Sequence, residues 1–173
     1  SRKQEIKSIL PKMLEVVDDF PDYHFVIAAI NDFSESYYRQ ITDKYNNIDI
    51  LFDQTYDILN TAQVALVVSG TANLEASLLK TPQIVCYKTH FLNFLLARLL
   101  LNIKYISLPN ILLNKEVIPE LIQGKLNKKN LIYQIRLLIN GKQDVESNYI
   151  QLIDSLGTNN TYSKVANAIL KCF

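Results

Sequence analysis

A chain of 173 residues with 49% hydrophobic and 20% charged side chains has the composition of a globular domain with one large core, which excludes a disordered segment. Its net charge of +1 leaves no basic surplus to neutralise phosphates, which argues against a nucleic-acid partner. The longest apolar run, Phe91 to Leu101, is broken by Asn93 and Arg98 and is too short to span a bilayer. The opening residues are charged with no apolar stretch behind them, so no secretory signal is expected. Cys86 lies inside the apolar run Ile84 to Tyr87 and reads as a buried thiol. Cys86 and Cys172 lack metal-ligand spacing, and a reducing, cytoplasmic setting fits them best.

In chain order, Ile6, Ile9, Leu10, Met13 and Val17 recur at helical spacing, with Pro11 expected to kink or break the helix. Phe25 to Ile30 is a continuous apolar run typical of a buried parallel strand, and a helix carrying Tyr37, Tyr38 and Ile41 follows it. A strand is expected at Ile48 to Phe52, a short helix at Tyr56 to Ala62, and a strand at Val64 to Val68. The alternation continues with a helix near Thr71 to Lys80, a strand at Gln83 to Tyr87, a helix at His90 to Leu101 and a short last strand at Tyr105-Ile106. After Pro109 strands give way to helices near 128–140, 144–156 and 162–171. This pattern predicts an α/β, Rossmann-like parallel sheet with helices on both faces, followed by C-terminal helices. The chain opens directly on a helix, which suggests a start just after a strand.

In such sheets ligands bind beyond the carboxyl ends of the strands. The most informative turn is Ser69-Gly70-Thr71-Ala72, where a strand runs into Gly70 and then into a helix. Gly70 permits close backbone approach, Ser69 and Thr71 offer hydroxyls, and the helix that follows directs free N–H groups into the turn, as an anion site requires. Glu75 lies one helical turn beyond Thr71 on the same face, suited to accept hydrogen bonds from sugar hydroxyls; an acid placed there by the helix dipole fits the spacing equally well. Glycines at 70, 124, 141 and 157 spell neither a dinucleotide fingerprint nor a Walker loop. His24 reads as structural, His90 faces the ligand side without an evident partner, Asp18-Asp19 reads as solvated, and no complete catalytic set or metal cluster emerges.

Three stretches together resemble lipid-A-disaccharide synthases: Ser69 to Ala76, Thr81 to Tyr87, and Lys104 to Asn110. Glu116 to Gln123 continues the likeness, and Ser1-Arg2-Lys3 resembles the end of that family's Gly-Ser-Arg loop. The resemblance covers most of the chain and implies one half of a GT-B glycosyltransferase. Residues 1–173 would form a single nucleotide-sugar-binding domain with a helical segment at 127–173, while the acceptor site and catalytic acid–base residues would lie in an N-terminal domain outside this sequence.

The reaction implied is transfer of 2,3-diacylglucosamine from its UDP donor to 2,3-diacylglucosamine 1-phosphate, giving a β-1,6 disaccharide by single inverting displacement without a metal or other cofactor. Arg2 would stabilise charge on the diphosphate, Ser69, Gly70, Thr71 and Ala72 would cradle it, and Glu75 would take ribose hydroxyls. Tyr105 and Ile106 would lie by the uracil, and Asn110 and Gln123 would be polar contacts. Acylated substrates imply peripheral contact with the inner face of the inner membrane, and the C-terminal helices leave a homodimer open. Two alternatives share these features: another UDP-sugar enzyme of the same architecture (a 2-epimerase or an N-acetylglucosaminyltransferase), and a non-catalytic nucleotide-binding module.

Overall fold

The computed structural model describes residues 3–68, 70–89 and 104–156; of 142–144 only the backbone is described. Helix α1 (Lys3–Met13) buries Ile6, Ile9 and Met13 along one stripe. Pro11, which has no N–H to give, sits in its last turn, and three residues later the chain tightens into a 3-10 helix, Leu14–Asp19. The break therefore falls after the proline rather than at it. Asp19 closes this segment by taking the Lys128 ammonium at 2.8 Å, so it is a structural partner and not merely a solvated acid.

Strands β1 (Phe25–Ala29) and β2 (Ile48–Phe52) pair in parallel, with α2 (Glu35–Thr42) between them in sequence. α3 (Thr55–Thr61) leads to β3 (Ala65–Val68), then α4 (Ala72–Leu78) and β4 (Gln83–Tyr87). Beyond residue 103 come α5 (Leu108–Leu113), β5 (Glu120–Ile122), α6 (Lys128–Asn140) and α7 (Lys142–Leu156). The fold is α/β and Rossmann-like, with parallel strands flanked by helices.

Three expectations change. The strands form two hydrogen-bonded sheets, β1-β2 and β3-β4-β5, rather than one. β1 is not buried on both faces: Phe25, Ile27 and Ala29 pack against apolar residues, while Val26 and Ala28 between them are exposed. The last strand is β5, not Tyr105-Ile106. The amides of Ile106 and Ser107 donate to the Glu120 carboxylate, which leaves them unavailable to a strand ladder. The expected helices at His90 to Leu101 and 162–171 lie outside the described residues.

β4 is the centre of the larger sheet, and Gln83 to Cys86 are all buried, so both of its faces are covered. The main core gathers around it: Ile9, Met13, Val16 and Phe20 from the N-terminal helical segment, Ile84, Val85 and Cys86 from β4, and Leu131, Ile135, Leu138 and Tyr149 from α6 and α7. Asn127 starts α6 by accepting the Asn130 N–H at 3.0 Å, as an N-cap side chain should. α5 ends on Asn114 in the left-handed region at φ 47°, a conformation asparagine tolerates better than most residues.

Candidate functional site

The strands of β3-β4-β5 are parallel, so Val68, Tyr87 and Ile122 all deliver the chain to one edge of the sheet. Gly70 emerges there, exposed, with φ 158°, at the limit of the range that favours glycine; a Cβ built on it would meet nothing within 4 Å. Among the described residues nothing crowds that position, and backbone conformation selects glycine there. Thr71 is exposed and already helical at φ −68°, ψ −28°; its carbonyl accepts from the Leu74 and Glu75 amides at 2.9 and 3.1 Å. No side chain among the described residues caps this helix, so its first N–H groups take no side-chain partner there. Ala72 and Glu75 are half-buried on α4. Arg2, Ser69 and His90 lie outside the described residues.

Gln123 joins the same edge at the end of β5. It is half-buried and held at φ 52°, an unusual conformation for a side-chain-bearing residue, and its Nε2 donates to the Thr89 carbonyl at 3.1 Å, beyond the end of β4. The amide thus links two strand ends bordering the Gly70 turn. His24 pairs with Asp49 at 2.8 Å where β1 and β2 begin, at the opposite edge of their sheet, which fits a structural role.

Tyr105 and Ile106 are half-buried in an irregular loop before α5, with the Lys104 ammonium 5.0 Å from the centre of the Tyr105 ring. The loop is shaped by Glu120. One carboxylate oxygen accepts from the Ser107 amide at 2.9 Å, the Ser107 hydroxyl at 2.6 Å and Asn110 Nδ2 at 2.8 Å; the other accepts from the Ile106 amide at 3.0 Å. Asn110 requires a correction. It is fully buried, its Nδ2 donates to Ile118 O and Glu120, and its Oδ1 accepts from the Val117 and Ile118 amides. Every polar position of its side chain is used inside the fold, so the structure makes it a staple and not a ligand contact.

Sequence reasoning missed Glu120 as an individual residue; its only local signal is an acid placed between Pro119 and the apolar pair Leu121-Ile122. It also missed a buried polar cluster behind α4. Ser77 Oγ donates to Asn73 O at 2.8 Å, and Gln83 Nε2 donates to Asn73 O and Ser77 Oγ at 2.8 and 3.0 Å. Among the described residues the Asn73 side chain has no hydrogen-bond partner there, and the Tyr149 hydroxyl lies against Gln83 and Ser77. The (i, i+4) spacing of Asn73 and Ser77 on α4 was the available signal. Burial holds the Cys86 thiol at about 12 and the Tyr149 hydroxyl at about 12, so neither is a nucleophile at neutral pH.

Residues 1–172 match the family model for lipid-A-disaccharide synthetase. The chain belongs to the lipid-A-disaccharide synthase family. The lipid-A-disaccharide synthase of Syntrophus aciditrophicus is 35% identical over 167 residues, covering 91% of this chain and 43% of the relative. Those of Acinetobacter baylyi and Francisella philomiragia are each 34% identical, over 82% and 87% of this chain and 40% and 41% of their own lengths. The chain thus spans about two-fifths of the length of these relatives. No helix among the described residues is long and apolar enough to cross a membrane.

Proposed function

We propose that this chain is the donor-binding half of a lipid-A-disaccharide synthase and that the Gly70 turn holds the diphosphate of a UDP-sugar. The observation that carries the reading is the family match across residues 1–172. The enzyme transfers 2,3-diacylglucosamine from UDP to 2,3-diacylglucosamine 1-phosphate by one inverting displacement, with UDP leaving and no metal or other cofactor required. The acceptor site and the catalytic base belong to the part of the family's length that this chain does not span.

Within the chain, the exposed, uncrowded Gly70 and a first turn of α4 without a side-chain cap among the described residues support diphosphate binding, and Arg2 and Ser69 are the residues the proposal adds to the cradle. Glu75, one turn further along α4, takes the ribose hydroxyls. The Tyr105-Ile106 loop lies against the base, and Gln123 offers its remaining amide capacity from the end of β5. Acylated substrates bring the complete enzyme to the inner face of the inner membrane as a peripheral protein.

Calorimetric titration with UDP tests the reading. The chain is expected to bind UDP weakly and to show no transferase activity by itself. Glu75→Ala is expected to weaken binding about tenfold, the loss of one to two charge-assisted hydrogen bonds, with little change in thermal stability. Indifference of the parent chain to millimolar UDP counts against the whole reading, whereas equal binding by the variant removes only the ribose role.

A further inference from the structure

The Tyr105-Ile106-Ser107 loop owes its shape to a side chain distant in sequence. Its two central amides, Ile106 and Ser107, point at Glu120 rather than at a neighbouring strand, at 3.0 and 2.9 Å. Ser107 stands at the N-cap of α5, yet its hydroxyl does not cap that helix; it donates to Glu120 at 2.6 Å. The same carboxylate takes Asn110 Nδ2 from the next turn. A single carboxylate therefore gathers four donors from one short loop and the helix after it. Such a convergence of N–H and O–H groups suits an ionised acceptor and no other side chain of this size.

Glu120 is also the first residue of β5, paired with Val85 of the fully buried β4. Immediately after β5, Gln123 reaches across to Thr89. The loop is thus referenced to the central strand of the sheet and, through β5, to the edge that carries the Gly70 turn.

We infer that Glu120 is a positioning residue for base selection, holding the 105–107 backbone in the shape from which this loop distinguishes one nucleobase from another. The inference rests on the proposal that the loop lies against the base of the nucleotide donor. Glu120 itself acts through the loop and not on the nucleotide. Glu120→Gln keeps the volume but turns an NH2 toward groups that already donate, so the loop must shift while the Gly70 turn, held by β3 and α4, stays in place.

The test titrates the 173-residue chain and its variants with UDP, CDP, ADP and inorganic pyrophosphate, and follows folding by circular dichroism and thermal melting. The parent chain is expected to prefer UDP over CDP and ADP. Glu120→Gln is expected to weaken UDP binding about tenfold and to bring the three nucleotides within about twofold of one another, with pyrophosphate affinity unchanged. Retained UDP preference in a folded Glu120→Gln chain overturns the inference, as does an equal loss of affinity for UDP and pyrophosphate. If that variant does not fold, Glu120→Asp decides. Its shorter reach cannot serve Ile106 and Asn110 together without moving the loop, so unchanged base preference there also overturns the inference. A parent chain that binds pyrophosphate but shows no preference among the nucleotides removes the base-site reading, and with it the role of Glu120. Sole failure of the variants leaves that reading standing.

Discussion

Asn110 and Ile118 exchange two hydrogen bonds: Asn110 Nδ2 donates to Ile118 O at 2.8 Å, and the Ile118 amide donates back to Asn110 Oδ1 at 2.9 Å. A side chain here does what a paired strand residue would do, closing the chain between α5 and β5 without a ladder. With the Val117 amide added at 2.8 Å, the loop from 114 to 119 is anchored to the one asparagine.

Asn110→Ala is therefore expected to destabilise the chain by about 3 kcal/mol, because it orphans buried backbone donors at Val117 and Ile118 and leaves acceptor positions on the Ile118 carbonyl and the Glu120 carboxylate unfilled. The measurement is the urea midpoint by circular dichroism. A ligand contact at this position predicts the reverse pattern, with UDP binding lost and stability within about 0.5 kcal/mol of the parent, as for a surface substitution. That outcome would reinstate the contact.

Asn73 gives the opposite expectation for a residue just as deeply buried. Neither polar atom of its side chain has a hydrogen-bond partner among the described residues, which makes its burial unfavourable in the folded state. Asn73→Ala removes that penalty and improves helix propensity in α4, at the expense of a small cavity. These terms are each about 1 kcal/mol, and the variant is expected to melt within a few degrees of the parent or above it. A loss of more than about 2 kcal/mol would mean that the amide makes hydrogen bonds in solution.

Alkaline pH supplies a third test. The Cys86 thiol is raised from 9.0 and the Tyr149 hydroxyl from 10.0, each to about 12, in both cases chiefly because burial disfavours the anion. Between these values the folded chain holds protons that the unfolded chain releases, so stability is intact below about pH 9 and falls as pH climbs toward 12. Each group that keeps its proton contributes a slope of up to about 1.4 kcal/mol per pH unit. Melts at pH 8, 10 and 11 should show Cys86→Ala and Tyr149→Phe losing stability less steeply than the parent, the thiol variant from about pH 9 and the phenol variant from about pH 10. Parallel slopes in all three proteins would show that these groups are not shielded.

How much of this was legible depended on how local the cause is. α6 could be bounded at Lys128 and Asn140 from its apolar spacing, because Leu131, Ile135 and Leu138 form one stripe whatever they pack against. β4 was legible as a continuous apolar run, because a central parallel strand is covered on both faces. β5 was not, being three residues long and headed by a glutamate, too short to display a period. Its glutamate also explains the misplaced strand at Tyr105-Ile106, since the Ile106 and Ser107 amides are taken by a partner 14 and 13 residues away. For the site, the strand-to-helix turn at Gly70 was visible because its chemistry is contiguous. The fate of Asn110 was not, since nothing in a Pro109-Asn110 pair reveals whether the amide faces a ligand or the backbone of a later loop.

The division into two sheets has a mechanical consequence. Among the described residues no strand pairing joins β1-β2 to β3-β4-β5, yet α1 sits against both: Ile6 packs with Ala29 and Ile50, while Ile9 and Met13 pack with Ile84 and Val85. Two parallel strands make a weak unit on their own. The smaller sheet therefore borrows its rigidity through a helical rivet, and its amides should exchange with solvent at the rate at which α1 lifts off rather than the rate at which their own ladder breaks.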